Sequence, residues 1–294
     1  MRILVVAQNK GGDGKTSLSR LLAEFFARKK LRVLAIDLDP QCNLSQRFLT
    51  MDHDPTDPDG IMPPLHPDYD PNDVDTEEGQ SWDGRSSIAD IFRARPVVPY
   101  KTSIEGLDML PGHGAELREV ELVTKEEVKQ RVHSRIEEFL SLAEVQEAYD
   151  FVVIDTSPSK GPLNRGALRA ATHMLIPCQM EQQSVEGLQG MLQLVRQENR
   201  MRARDNPLTL IGIVPNKFRK NVAIQEGIKI NLENDPGINQ HLIPLVLGLR
   251  SAFSESDHPA ALPRSIFDLA ERNQARIEAE AVCQFVEKAI FNVR

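Results

Sequence analysis

Residues 8 to 17 read QNKGGDGKTS. A loop that cradles phosphates needs glycines, so that backbone N–H groups can turn inward around the oxygens. It also needs a lysine for the outer phosphates and a Ser or Thr hydroxyl for Mg2+. Gly14, Lys15 and Thr16 supply the end of the pattern G-x-x-x-x-G-K-[ST]. Asn9 stands where the first glycine belongs, and a second lysine, Lys10, follows it directly. The loop therefore carries one cation more than phosphate binding by a single chain requires.

Two further stretches carry carboxylates of the right kind. In AIDLDPQCN, an apolar run ends at Asp37, and Asp39 follows with the same orientation if the extended backbone persists. In FVVIDTSPS, four apolar residues run into Asp155. Carboxylates at the ends of buried strands beside a phosphate loop suit Mg2+ contact and the positioning of an attacking water. Asp37 and Asp155, with Thr16, are the candidate metal residues, and Asp39 is the candidate for orienting the water.

These residues need a scaffold, and the apolar pattern supplies one. Strand-like runs occur at 3–8, 32–37, 106–112, 151–155, 173–178, 210–216 and 242–247. Helical periodicity follows at 15–30, where Leu18, Leu21, Leu22, Phe25 and Phe26 form one stripe, and again at 163–171, 184–200, 221–233 and 273–291. Residues 115–148 read as one long helix or a broken pair, and Ser87 as the cap of a short helix, IADIFRA. Alternating strands and helices imply an α/β fold: a single doubly wound, mostly parallel sheet with helices on both faces. Ligands of such sheets bind at the carboxyl ends of the strands, where all three motifs fall. No internal repeat or domain boundary is evident, so 1–294 is expected to be one domain.

The formal charge is −8. Between Asp52 and Asp83 there are eleven acidic residues, six prolines and no Lys or Arg; without those eleven charges the chain carries +3. Such a stretch forms neither a regular helix nor an interior strand. The segment 51–86 is expected to be a flexible acidic insert, either a solvated spacer or an arm that competes for a basic surface. No apolar run is long enough to span a membrane, and no signal peptide is evident at the N-terminus. Cys42, Cys178 and Cys283 lie far apart, and no His or Cys spacing suggests a metal site. A cytoplasmic protein is expected.

The motifs resemble those of the ParA/MinD class of ATPases, whose phosphate loop is a deviant Walker A sequence. K-G-G-x-G-K-[ST] matches Lys10 to Thr16, with Ser17 following, and DxDPQ-N matches Asp37 to Gln41 and Asn43. Asp155 matches the Walker B aspartate. IPCQMEQQSVEGLQGM (176–191), VPNKF (214–218) and LPRSIFDLAE (262–271) are similar to later segments of the family, more loosely. The resemblance runs from residue 2 to about 290, apart from the insert. It implies a P-loop ATPase using ATP and Mg2+, with slow, partner-stimulated hydrolysis. It implies that Lys10, Gly11, Gly12, Asp13, Gly14, Lys15, Thr16, Ser17 and Asn216 hold the nucleotide, and that Lys10, Lys15 and Asp39 serve catalysis. In this family the residue at Lys10 reaches across a homodimer to the phosphates of the partner's ATP, which accounts for the extra lysine. Asp13 departs from the pattern, because that position is more often small or apolar. It is expected to face solvent, with pairing across a dimer as the alternative.

The ParA branch further implies non-specific DNA binding and a centromere-binding, ParB-like stimulating partner, with the protein associated with the nucleoid and serving plasmid or chromosome partition. Lys217, Arg219 and Lys220 cluster after a strand end, and Arg250 and Arg264 are added as candidates for phosphate contact. Other readings are a MinD-like membrane switch, an electron-transferring relative of the nitrogenase iron protein, and a ParA-like switch that positions a protein cargo. The tail AVCQFVEKAIFNVR has few cations for a membrane-binding face, and the cysteines offer no pair for a shared cluster.

Overall fold

The computed structural model describes residues 1–58, 60–70, 82–256 and 264–291. The chain runs β1 (Arg2–Val6), α1 (Lys15–Arg28), β2 (Val33–Asp37), α2 (Ser45–Phe48), β3 (Asp52–His53) and β4 (Ile61–Met62). After a 3-10 turn (Ile88–Phe92) come β5 (Tyr100–Lys101), β6 (Leu107–Leu110), α3 (Gly114–Glu121), α4 (Glu126–Leu140) and α5 (Ala143–Ala148). The second half is β7 (Phe151–Asp155), α6 (Pro162–Ala170), β8 (His173–Gln179), α7 (Gln182–Met201), β9 (Thr209–Asn216), α8 (Ala223–Asn234), α9 (Ser251–Ser256) and α10 (Gln274–Phe291).

Seven strands form one sheet in the order β5-β6-β2-β7-β1-β8-β9. All neighbours pair in parallel except β5, which is antiparallel to β6 at the edge. The central strands are apolar on both sides because both faces are covered. In β1, Ile3 and Val5 face one core with Ile136, Leu163 and Leu188 from α4, α6 and α7. Leu4 and Val6 face the other, with Leu22 and Phe26 of α1 and Val282 and Val286 of α10. The doubly wound, mostly parallel sheet expected from the alternation is present.

Two expectations need correction. The apolar run 242–247 is not a strand. Ile243 and Leu247 donate backbone hydrogen bonds to Ile213 and Pro215 at the edge of β9, but Pro244 between them has no N–H to continue a ladder. The described parts of the acidic insert are docked on the body instead of hanging free. They form the β3–β4 hairpin, Arg85 pairs with Asp52 at 2.6 Å, and Arg118 on α3 pairs with Asp57. Tyr100 of β5 donates to the Pro64 carbonyl at 2.8 Å, and its ring lies 4.6 Å from that of His66. Aromatic packing and two arginines thus outweigh the self-repulsion that composition suggested. Residues 71–81, with four of the insert's carboxylates, lie outside the described residues. The segment 115–148 breaks into three helices. Ser87 caps the turn before β5 in a capping box with Asp90.

Candidate nucleotide site

The phosphate loop joins β1 to α1 at the carboxyl edge of the sheet. Gly12 and Gly14 adopt φ of 87° and 85°, a region closed to most side chains. At Gly14 a Cβ would also run into the Asn216 side-chain amide. The helix that follows has neither a side-chain cap nor an acidic residue in its first turn, so its N-terminal N–H groups and dipole remain available to an anion.

The loop is held by residues distant in sequence. Gln179, at the end of β8, donates to the Gly12 carbonyl at 2.7 Å, and so does Lys217 Nζ at 2.6 Å. Asn216, at the end of β9, donates to the Asp13 carbonyl at 2.7 Å. Lys217 has a positive φ of 51°, and its side chain turns back to the loop. Asn216 is therefore where a nucleotide residue was expected, whereas Lys217 is not on the basic surface assigned to it.

Lys15 is buried, and its Nζ donates to the Lys10 carbonyl at 2.9 Å. Burial lowers its pKa, opposed by the charges of Asp155, Asp39 and Asp13. The Thr16 hydroxyl donates to Asp155 at 2.7 Å, and Ser19 donates to the other carboxylate oxygen at 2.8 Å. Asp37 lies opposite Asp155 in the β2–β7 register. Both carboxyls are fully buried, and burial, then for Asp155 the nearby charge of Asp37, pushes both well above the usual carboxylate range. A divalent cation would relieve that penalty. The oxygens of Thr16 and Asp155 are a hard donor pair suited to Mg2+. Among the described residues no three carboxylate, His or Cys side chains gather into a metal cage, so such an ion would draw its other ligands from phosphates and water. Asp37 is less free: it accepts from the backbone and hydroxyl of Ser45, both at 2.8 Å, and from the Asp39 backbone at 3.1 Å. It shapes the strand end more directly than it offers a ligand atom.

Asp13 does not face solvent. It is fully buried, and accepts from the Ser184 hydroxyl at 2.8 Å, while its Oδ2 has no hydrogen-bond partner. Burial raises its pKa, against Ser184 and the charge of Lys10. The Lys10 ammonium lies at the mouth of the loop, 3.0 Å from Glu181 and 3.1 Å from the Ser184 hydroxyl. The start of α7 therefore holds both Asp13 and Lys10. Ser19, Ser45, Gln179, Glu181 and Ser184 went unnoticed in the sequence. Gln179, Glu181 and Ser184 fall within the 176–191 segment, but nothing local says which of its side chains reach the loop, and Ser19 and Ser45 belong to no motif.

The DNA candidates separate. Arg219 and Lys220 are exposed, just past the end of β9. A bridge between Phe218 and Gly248 brings Arg250 near them, though Arg250 is paired with Glu278 at 2.6 Å. Arg264 is elsewhere, against the Arg47 carbonyl beside α2. Cys42, Cys178 and Cys283 are all buried and unpaired as disulfides. The apolar face of α10 is packed against α1, where the rings of Phe26 and Phe291 lie 5.8 Å apart. Among the described residues no helix is long and apolar enough to cross a membrane.

Known proteins share this arrangement. The family model described as an AAA domain matches residues 1–207. A putative replication protein A of Sinorhizobium fredii is 34% identical over 60% of this chain, and the chain spans only 39% of that relative's length. The chromosome partitioning protein ParA of Caulobacter vibrioides is 27% identical, covering 90% of this chain and 82% of its own. A putative plasmid partition protein from Borrelia burgdorferi, solved with AMPPNP bound, shares the fold with a TM-score of 0.66. That match has 18% identity over 98% of this chain and 99% of the other. Joined to the deviant loop and the paired strand-end aspartates, the match over residues 1–207 places the chain in the AAA-domain family, and its relatives include proteins named for chromosome partitioning.

Proposed function

We propose that this protein is an ATP-driven switch that dimerises on binding Mg2+ and ATP, holds DNA non-specifically as a dimer, and lets go after hydrolysis. Plasmid or chromosome partition is the process it serves, in the cytoplasm on the nucleoid, with a ParB-like protein stimulating turnover. The observation that carries this reading is Lys10. Lys15 already serves the loop from within, whereas the Lys10 ammonium sits at the rim on a side chain 27% exposed, held by one carboxylate and one hydroxyl. It is placed to exchange those partners for a triphosphate presented by a second copy.

In each site Lys15, the loop N–H groups and Ser17 would bind the phosphates, with Asn216 bracing the loop. Thr16, with Asp155 behind it, would hold Mg2+, which would supply charge neutralisation on the phosphates. Asp39 orients the attacking water, and Lys10 of the facing copy adds charge where the transition state gathers it. The packed α10 favours DNA over a membrane surface, and the exposed Arg219 and Lys220 are the residues proposed to touch DNA phosphates. The similarity to named partition proteins supports this reading, with a protein cargo as the second possibility.

Lys10→Ala tests it. The variant should still bind ATP, because Lys15 and the loop remain. A charge-assisted contact contributes roughly 1.5–3 kcal/mol, and two-fold symmetry supplies it twice. The dimer constant should therefore fall by about two to four orders of magnitude. Sedimentation with Mg2+ and a non-hydrolysable ATP analogue measures this directly. Dimerisation equal to wild type would leave Lys10 as a rim residue of a single-chain site.

A further inference from the structure

A cleft of about 460 Å³ opens between α4, the start of α6 and the end of α7; none of residues 8–17 lines it, although Lys160 at its edge and Asn9 both come close to Gly190. Its wall carries Lys129, Lys160, Arg165 and Arg169 against two carboxylates, Glu126 and Glu198. Both carboxylates are engaged: Glu198 pairs with Arg202 at 3.2 Å, and Glu126 accepts from Gln130 at 3.0 Å and lies 3.9 Å from Lys129. Arg169 is shared with Glu137 at 3.3 Å. The side chains of Lys160 and Arg165 have no hydrogen-bond or ion-pair partner among the described residues.

The floor holds a second, independent sign. His133 lines the cleft, and its Nε2 is buried with no hydrogen-bond partner. A buried polar atom left unpaired is costly, and in native proteins it commonly marks a missing ligand or water. Burial and then the charges of Arg165 and Arg169 hold the imidazole below its ordinary pKa. Arg165 and Arg169 thus lie close enough to act on the imidazole, while Glu126 and Glu198 act on it in the opposite sense.

We propose that this cleft is an anion site distinct from the nucleotide site, taking a small polyphosphorylated ligand. Guanidinium forks with a lysine match phosphate oxygens. The volume lies in the range of small-molecule pockets and exceeds what one phosphate fills. A concave pocket of this size suits a compact ligand better than the convex backbone of a duplex. Lys160 lies five residues beyond Asp155 on the same connection, so occupancy bears on the segment that leaves the nucleotide site.

The probe is inorganic pyrophosphate, titrated into the full chain without metal while the histidine Cε1–H resonances are followed by NMR. The His133 signal is assigned by its loss in His133→Gln. The His133 signal should move saturably, and Lys160→Gln with Arg165→Gln should weaken its midpoint at least about tenfold. Both substituted side chains are exposed. Unchanged affinity for Mg2+ and ATP by calorimetry will show that the double variant is folded, and Arg219→Gln should leave the midpoint alone. A His133 signal that stays still, or moves with the same midpoint in the double variant, overturns the proposal. So does displacement of pyrophosphate from His133 by a short DNA duplex, which would make the cleft a nucleic-acid contact.

Discussion

Asp13 is the residue that sets this loop apart. A carboxylate between Gly12 and Gly14, with one oxygen unpaired in the interior, opposes the triphosphate that the same loop must hold. At an effective dielectric near 20, two charges about 6 Å apart interact by roughly 3 kcal/mol. Asp13→Asn keeps the size and a partner for Ser184 but removes the charge. ATP affinity at neutral pH should rise by about one to two orders of magnitude by calorimetry. Because burial raises the Asp13 pKa, wild-type affinity should also improve as pH falls toward that raised value, while the variant stays flat. Equal affinities at every pH would mean that Asp13 is already protonated at neutrality. Asp39 poses a different question. It is nearly buried and engages the Gln41 backbone at 2.9 Å, so Asp39→Ala should leave ATP binding and dimerisation in place while steady-state turnover falls by about a hundredfold or more. Turnover near wild type would move the water-orienting role to another residue.

At the scale of elements, β8 carries a titration of its own. His173 opens the strand, 7% exposed, with Nδ1 2.8 Å from the Thr172 hydroxyl. Burial and then the nearby Arg2 lower its pKa from 6.5 to about 4. The unfolded chain therefore binds the proton more readily, and the stability this group contributes is complete above pH 6.5 and is lost as pH falls toward 4. The loss should amount to about 2–3 kcal/mol. In denaturant titrations at pH 7 and pH 4.5, His173→Gln should show a smaller decline than wild type by about that much. Parallel declines would show that the imidazole is hydrated in the fold. The same strand illustrates what the sequence could reveal. FVVID and HMLIPC are buried on both faces, so their apolar runs are unbroken and their limits legible. The run 242–247 has the same look, yet Pro244 bars it from a ladder. The loop was legible because its chemistry lies in eight consecutive residues, 10–17. Of its fastenings only Asn216 was, through the VPNKF segment; Gln179 and Ser184 come from a strand end and a helix start more than 160 residues away, and no local pattern ties them to the loop. Lys217 looked like surface charge because its turn back to the loop depends on a positive φ that no local pattern announces.

For the whole molecule, the net charge of −8 conceals a division of labour. The 51–86 segment holds eleven of the 43 acidic residues, and the exposed Arg219 and Lys220 lie apart from it in sequence, just past the end of β9. Arg219→Glu with Lys220→Glu should weaken DNA binding alike for all sequences and flatten its salt dependence, by about one unit of slope for each DNA phosphate no longer neutralised. ATPase activity without DNA should persist. Mobility-shift titrations at several salt concentrations decide this, and intact affinity would place the DNA surface elsewhere. The fastening of the phosphate loop reaches further than binding. β1 lies between β7 and β8, and the loop carbonyls are tied down by residues 179, 216 and 217. The first strand and the loop after it can therefore take their final shape only once residues some two hundred positions further along are in place. The ends of β8 and β9 are thus as much a part of the phosphate loop as the residues within it, and a change at either end should loosen the loop from a distance.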